Sequence, residues 1–362
     1  MTPTRVRRRG VSFRRPLVLS ASPGIPALGP SGASAHLRGV AEALRAPIVC
    51  PRAVDGRGLA ADTSVPILAA GLAGWPTWAP RQGLREVRTA RRCAALALDY
   101  APDLLWERHS LYSDAGWKVH AATGARWILE VNAPLAAERA RYETLPDADF
   151  ARGWEREVLL AAPEIVAVSG WLVQWLRSLG CRSVRHLPNG VEPHAGDREG
   201  TRARLGLGDR FVLGFVGSFK PWHGVERLPA LLDALPDAVG LLVGDGQVKV
   251  VHPRLRNLGH LDERGVADAV AAMDVALAPY GADAPPWFCP LKVLAYRAQG
   301  TPIVATDIGD CRALVGDAGT VVPVAADVAT MAEAARSWAG RRVEPWVRSW
   351  ADVVAEAMGG AG

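Results

Sequence analysis

Short apolar runs alternate along the chain with segments whose apolar residues recur every three or four positions. The spacing predicts strands at 16–20, 103–106, 126–131 and 164–169. It predicts a helix over 33–45, with Leu37, Val40, Ala41 and Leu44 on one face, and amphipathic segments at 84–100 and 171–179. The alternation restarts after residue 210, with strands at 211–216, 239–243, 275–278 and 302–305 and helices at 224–235, 262–273 and 291–299. Strands that alternate with helices imply parallel sheets covered on both faces. No internal repeat is visible, so the two halves read as similar α/β layers built from unrelated sequence. Residues 191–210, polar and glycine-bearing, read as the hinge between them. The last segment, 345–358, is amphipathic, with Trp346, Trp350 and Val354 about one turn apart.

The length of 362 residues makes two domains the default, and 49% hydrophobic residues supply a large core without disulfides or metals. The organisation expected is a basic arm over 1–15, an N-terminal domain over 16–190, a linker over 191–210, a C-terminal domain over 211–344 and a closing helical segment over 345–362. The formal charge is +5, but six arginines fall within the first fifteen residues. Without them the chain is close to neutral, so the basic balance describes a short, disordered arm rather than a basic globule. That argues against nucleic acid as a partner and leaves at most peripheral contact with anionic lipid. Five dispersed cysteines, with no C-x-x-C, favour neither a zinc cluster nor a redox pair and fit a reducing cytoplasm. No apolar stretch approaches the ~18 residues of a membrane span. Arg14 and Arg15 precede too short an apolar run for a twin-arginine signal.

Five segments are candidates for chemistry. Residues 215–224 (Phe-Val-Gly-Ser-Phe-Lys-Pro-Trp-His-Gly) follow a strand and open a helix, a junction where free N–H groups attract phosphate; Lys220 and His223 add positive charge. The same pattern also makes an ordinary strand–helix turn, and spacing alone does not choose. Gly244-Asp-Gly246 ends another strand, again as a common turn. Pro290 starts a helix, leaving the next amides unpaired, and Lys292 in its first turn opposes the helix dipole. That makes sense if an anion sits there; otherwise the ammonium snorkels to water. A Gly- and Pro-rich loop at 24–34 lies where α/β proteins bind ligands, but lacks a dinucleotide fingerprint. Glu130 and Asn132 share one face of a strand end. Asp147 and Asp149 read as a turn, and the histidines show no metal-ligand spacing. Of the thirteen tryptophans, Trp222 and Trp287 sit in the candidate loops as stacking surfaces; Trp75, Trp78, Trp106 and Trp117 are core or acceptor-side lining.

Together these loops resemble the retaining glycosyltransferases of family 4. The resemblance rests on Gly24-Ile-Pro with Gly32-Ala-Ser, Glu107-Arg-His-Ser110, Leu129-Glu-Val-Asn-Ala-Pro-Leu135, Val168-Ser-Gly-Trp171, Leu187-Pro-Asn-Gly-Val191, the 217–224 loop, Val243-Gly-Asp-Gly246, Pro290-Leu-Lys292 and Gly300-Thr-Pro302. It implies a GT-B architecture, two Rossmann-like domains facing each other across a cleft, closing about the hinge. It also implies a nucleoside-diphosphate sugar donor, a sugar, small-molecule or lipid-linked acceptor, and no metal or cofactor. On that pattern Lys220, His223 and Asn132 would be catalytic, with Lys220 the main cation at the leaving group. Gly217, Ser218, Trp222, Gly244, Pro290, Leu291 and Lys292 would line the donor, with His260 and Leu261 at the nucleobase. Gly29, Ser31, Gly32 and Glu130 would form the acceptor and closure loop.

Three departures from the family pattern stand out. Ala295 replaces a glutamate that grips the donor ribose, and Trp287 stands at an acidic position eight residues earlier. Ser218 and His223 stand where arginine and lysine usually bracket the phosphate loop, and Asn132 where many members have histidine. Loss of a charge-assisted hydrogen bond costs about 1.5–3 kcal/mol, one to two decades in affinity. Ala295 and His223 favour the alternative, a degenerate, non-catalytic GT-B partner protein. A phosphorylase or epimerase on the same plan is the remaining alternative.

Overall fold

The fold is described from a computed structural model, for residues 13–54, 63–72, 82–192 and 194–359. Trp75, Trp78 and the arginines at 5, 7, 8 and 9 lie outside the described residues. The chain forms two compact units: 1–167 with 176–187 and 350–362, and 168–175 with 188–349.

In the first unit, β1 (Pro16–Ser20), α1 (Gly32–Leu44), β2 (Ile48–Cys50), β3 (Ile67–Ala69) and α2 (Gln82–Tyr100) come first. They are followed by β4 (Leu104–Arg108), α3 (Ala115–Thr123), β5 (Arg126–Val131), α4 (Leu135–Tyr142), α5 (Ala148–Ala161), β6 (Glu164–Ala167) and β7 (Val184–His186), while α6 (Gly170–Ser178) divides between the units after Trp175. The seven strands are parallel, in the order β3-β2-β1-β4-β5-β6-β7. The apolar runs that gave no helical period are the fully buried strands: Leu17, Val18 and Leu19 contact core on both faces, and Val18 lies opposite Ile48 on one side and Trp106 on the other.

The second unit repeats the plan with α7 (Arg198–Arg204), β8 (Phe211–Val216), α8 (Leu228–Ala234), β9 (Ala238–Val243), β10 (Leu255–Asn257), α9 (Glu263–Ala272) and β11 (Val275–Ala278). α10 (Leu291–Ala298), β12 (Ile303–Thr306), α11 (Cys311–Val315), β13 (Gly319–Val322) and α12 (Val328–Arg336) complete it. Its order, β10-β9-β8-β11-β12-β13, is the doubly wound arrangement in which strand order reverses between β8 and β11. Asp262 caps α9 through the Gly265 amide at 2.7 Å, and Asp327 caps α12 through Thr330 at 2.8 Å.

Several expectations are corrected here. The arm ends earlier than residue 15, because the Arg14 and Arg15 amides bond the Asp103 carboxylate at 2.7 and 3.0 Å. Residues 191–210 are not a bare hinge. They contain α7, whose Arg198 and Arg202 bond Asp274, and they group with the second unit. The helix expected over 224–235 is two 3-10 turns, Pro221–His223 and Val225–Arg227, followed by α8. Gly224 is left-handed and Pro229 has no N–H to donate, so no single helix can run through. The last helix, α13, spans Trp350–Gly359 and packs on α1: Trp350 stacks on His36 and fills the space beside Gly39, where a Cβ would stand 2.1 Å from the indole. Trp346 is not part of that helix; its amide bonds the Arg297 carbonyl at 3.0 Å.

Candidate functional site

The reversal point of the second sheet concentrates the unusual chemistry. Tyr296 on α10 fixes it: the hydroxyl accepts from the Val216 amide at the end of β8 (2.9 Å) and donates to the Leu277 carbonyl on β11 (3.1 Å). α10 is therefore pinned across the point where strand order reverses. Its cap is Pro290, with no side-chain cap bond and no acidic residue in the first turn. The Leu291 and Lys292 amides find no acceptor among the described residues.

Lys292 does not snorkel. It is 9% exposed, and its Nζ is buried without a hydrogen-bond partner, 3.9 Å from the Phe215 ring centroid and 4.9 Å from that of Tyr280. Gly217, at φ +144°, makes room for it; a Cβ there would lie 3.3 Å from Nζ. Burial pulls the Lys292 pKa down to about 7. An amine held this way, beside unpaired amides and without a carboxylate bonded to it, makes Lys292 a candidate anion-binding group.

The surrounding glycines serve packing rather than direct donation. The Gly217 amide is spent on the Val243 carbonyl (3.0 Å) and that of Gly244 on Gly259 (2.7 Å), while a Cβ at Gly244 would stand 2.1 Å from the Gly217 carbonyl oxygen. Phe219 donates to the Asp245 carbonyl at 2.8 Å, and His260 Nε2 lies 2.8 Å from Asp245 Oδ1. These bonds bring His260 and the exposed Leu261 to the same sheet edge as the 217–224 loop. Ser218 and Lys220 are exposed on that loop, with Lys220 Nζ 5.5 Å from the Trp222 ring centroid.

His223 is not the assisting cation expected. Its Nδ1–H donates to the Ser218 carbonyl, and burial, with Lys292 nearby, holds its pKa down to about 2, so the imidazole is neutral. Trp222 is half-buried in an aromatic cluster with Tyr280 and Phe288. Trp287 is not a free stacking surface: it is buried, packed on Trp171, with its carbonyl accepting from Ser169 Oγ at 2.8 Å.

The first unit shows a different arrangement at its own reversal point, between β1 and β4. Glu130, expected at an acceptor loop, is instead a buried organiser with both oxygens occupied. Oε2 accepts from Trp106 Nε1 (2.8 Å) and His36 Nε2 (2.9 Å); Oε1 accepts from Asn132 Nδ2 (2.5 Å) and Arg108 (3.4 Å). Arg108 also donates to His36 Nδ1 at 3.1 Å, which fixes a neutral imidazole, and burial lowers the His36 pKa. Burial alone would raise the Glu130 pKa, but His36, Arg108 and Asn132 outweigh it and hold it at about 2. Sequence reasoning singled out the Glu107–Ser110 run that straddles the end of β4 but missed His36 and Arg108 as partners of Glu130. Asn132 remains half-buried at the strand end. Ser31 is the α1 cap, accepting from the Ser34 amide at 3.1 Å, with Gly32 exposed beside it. Gly29 is buried, its carbonyl accepting from Arg38 at 3.0 Å.

The depressed Glu130 pKa predicts that its share of stability is present above about pH 4.5 and lost as pH falls toward 2. Glu107 acts with opposite sign: burial raises it to about 7, so folding becomes less favourable as pH rises from 4.5 to 7. Breaking a buried charge network by removing one partner costs about 3–5 kcal/mol. Glu130→Gln should therefore lose about that much stability in urea unfolding at pH 7 and flatten the acid limb below pH 4.5. Wild-type stability at both pH values would show that the network is not a structural one.

Among the described residues no group of three or more His, Cys, Asp or Glu side chains is placed to hold a metal ion, and no helix is long and apolar enough to cross a membrane.

Two Rossmann-like units of these strand orders define a GT-B protein. Residues 30–195 match the family model described as Glycosyltransferase Family 4, and residues 210–340 the one described as Glycosyl transferases group 1. The two matches account for most of the chain, which belongs to the family 4 glycosyltransferases. It is similar to a GDP-mannose-dependent alpha-mannosyltransferase of Mycolicibacterium smegmatis, 32% identical over 176 residues, 46% of this chain and 45% of the relative. It is 29% identical over 185 residues to a phosphatidyl-myo-inositol mannosyltransferase of Mycobacterium leprae, 47% of this chain and 48% of the relative. The matched region thus spans about half the length of these curated relatives. Among solved structures, the sucrose-phosphate synthase of Thermosynechococcus elongatus shares the fold with a TM-score of 0.69, at 19% identity over 95% of this chain and 94% of that one.

Proposed function

We propose that the protein transfers a sugar from a nucleoside-diphosphate sugar to an acceptor, with retention at the anomeric carbon. The observation that carries this reading is Lys292, a buried, unpaired amine beside the free amides of α10 at the sheet's reversal point. A departing diphosphate is the ligand that such a group is built to meet, since preorganised cations and amides gain most where charge develops. The acceptor oxygen forms its bond to the anomeric carbon on the face that the diphosphate leaves. The anomeric carbon–oxygen bond to phosphate breaks, and the acceptor proton passes to a phosphate oxygen.

Lys292 and the Leu291 and Lys292 amides hold the charge that builds on the leaving group. Lys220, exposed at the loop tip, adds a second cation; Trp222 and Ser218 flank it; Leu261 and His260 receive the base. Acceptor recognition falls to the first unit, with Asn132, Ser31 and Gly32 exposed or half-exposed there. The five buried, unpaired cysteines fit a reducing compartment, and we place the protein in the cytoplasm.

A thermal-shift panel of GDP-, UDP- and TDP-sugars tests the reading. A cognate donor at one hundred times its dissociation constant adds about 2.7 kcal/mol of stability. If no nucleotide shifts the transition, the non-catalytic reading favoured by His223 and Ala295 replaces the transferase.

A further inference from the structure

The first unit contains a cavity of about 260 Å³ between the start of α2, the loop after β4, α4 and the start of α5, lined among others by Leu84, Tyr112, Arg139, Pro146, Asp147 and Phe150. This is just below the roughly 300–1,000 Å³ of small-molecule sites, enough for one ring system. One wall is aromatic: the Tyr112 and Phe150 rings stack at 6.0 Å with 22° between planes, and Phe150 and Leu84 are large apolar side chains left exposed. Gly83 admits the Tyr112 ring, since a Cβ there would stand 2.9 Å from it.

Tyr112 itself sits at φ +63° and Asp147 at φ +57°. A bulky side chain in the left-handed region costs on the order of 1–3 kcal/mol and persists where the surroundings fix it, most often at ligand sites. The polar groups are equally selective. The Tyr112 hydroxyl makes no hydrogen bond among the described residues, and the Asp147 carboxylate has no ion-pair partner there. Arg139 is already engaged by Glu86 at 2.7 Å and Glu143 at 3.6 Å. One guanidinium against three carboxylates leaves the pocket slightly acidic, which disfavours phosphate-bearing ligands.

We infer that this pocket seats an uncharged sugar ring of the acceptor, with its C–H face on the exposed Phe150 ring, which the buried Tyr112 ring backs, and its hydroxyls on Asp147 and the Tyr112 hydroxyl. The inference rests on the transferase reading and names the class of acceptor for it. An aromatic wall beside a free carboxylate and hydroxyl matches a pyranose, which is apolar on one face and hydroxylated at its edge.

Saturation-transfer NMR with methyl α-D-mannopyranoside and methyl β-D-glucopyranoside tests it. At least one glycoside is expected to show ring-proton saturation with the wild type, reduced at least fivefold by Phe150→Ala and by Asp147→Asn. Both residues are exposed, so both variants should keep the wild-type melting temperature and any donor-induced shift. Should Phe150→Ala fail to fold, Asp147→Asn and Leu84→Arg, which closes the mouth, carry the test. Absence of saturation in the wild type, undiminished saturation in the variants, or displacement by inorganic phosphate would overturn the inference. Loss of nucleotide binding with retained glycoside saturation would remove the transferase reading and leave the pocket standing.

Discussion

Lys292→Met will remove most of the protein's affinity for nucleoside-diphosphate sugars and at the same time make the unliganded protein more stable. The two effects have one cause. The Lys292 amine is buried with no hydrogen-bond partner, and a buried unsatisfied polar group costs about 1–3 kcal/mol. Methionine keeps the apolar stem against Phe215 and Tyr280 and adds favourable sulfur–aromatic contact. The melting temperature should rise by several degrees, given roughly 2–4 °C per kcal/mol for domains of 150–250 residues. On the ligand side, each charge-assisted hydrogen bond to phosphate contributes about 1.5–3 kcal/mol, and loss of a donor to developing charge costs roughly 10²–10³ in rate. A fall of at least ~100-fold in kcat/KM is expected, read from initial rates alongside a melting curve. A variant that melts lower and still turns over normally would assign Lys292 to the core and empty the proposed site.

Donor binding should also take up a proton, to an extent that depends on pH. Burial lowers the Lys292 pKa to about 7, so the unliganded amine is charged at pH 6 and largely neutral at pH 8.3. A bound diphosphate restores the charge. Calorimetry in buffers of different ionisation enthalpy should therefore show little uptake at pH 6 and close to one proton per donor at pH 8.3. Affinity should be flat below about pH 7 and weaken toward tenfold per pH unit above it. The groups facing Lys292 do not supply this signal. His223 is neutral throughout, burial pushes Cys311 up to about 12 and Tyr280 far above its usual range, and Lys220 is exposed. An intact sugar nucleotide is needed, because a free terminal phosphate titrates near 6 itself. In the unliganded protein the sign is fixed by linkage: the folded chain binds fewer protons than the unfolded one between about pH 7 and 10.5, so this lysine's contribution improves as pH rises through that window. Equal proton counts at both pH values would contradict the assignment.

How much of this was legible in the sequence follows from what each feature depends on. Buried central strands such as β8 and β9 announce themselves as continuous apolar runs, and the alternation with helices gave the class of fold. The edge strands β3, β7 and β10 are three residues each, too short to show a period. That Lys292 is out of place was legible because a lysine in the first turn of a helix has the wrong sign for the dipole, a local property; that its amine is buried rather than snorkelling was not. The neutrality of His223 was not legible, because it comes from burial and a carbonyl five residues away in an irregular turn. Glu130 was picked correctly as unusual and given the wrong role. Its partners His36 and Trp106 stand 94 and 24 residues away, on α1 and β4, and only the folded sheet brings them together. The pocket of Tyr112 and Phe150 carried no motif at all, since it is assembled from four separate elements.

The most direct test of the central claim is a structure of the protein with the proposed nucleoside-diphosphate sugar bound. The diphosphate is expected at the carboxyl ends of β8 and β11, with Lys292 Nζ and the Leu291 and Lys292 amides within hydrogen-bonding distance of its oxygens. A nucleotide held elsewhere, with Lys292 still lying over Phe215 and Tyr280 and touching no phosphate, would contradict it.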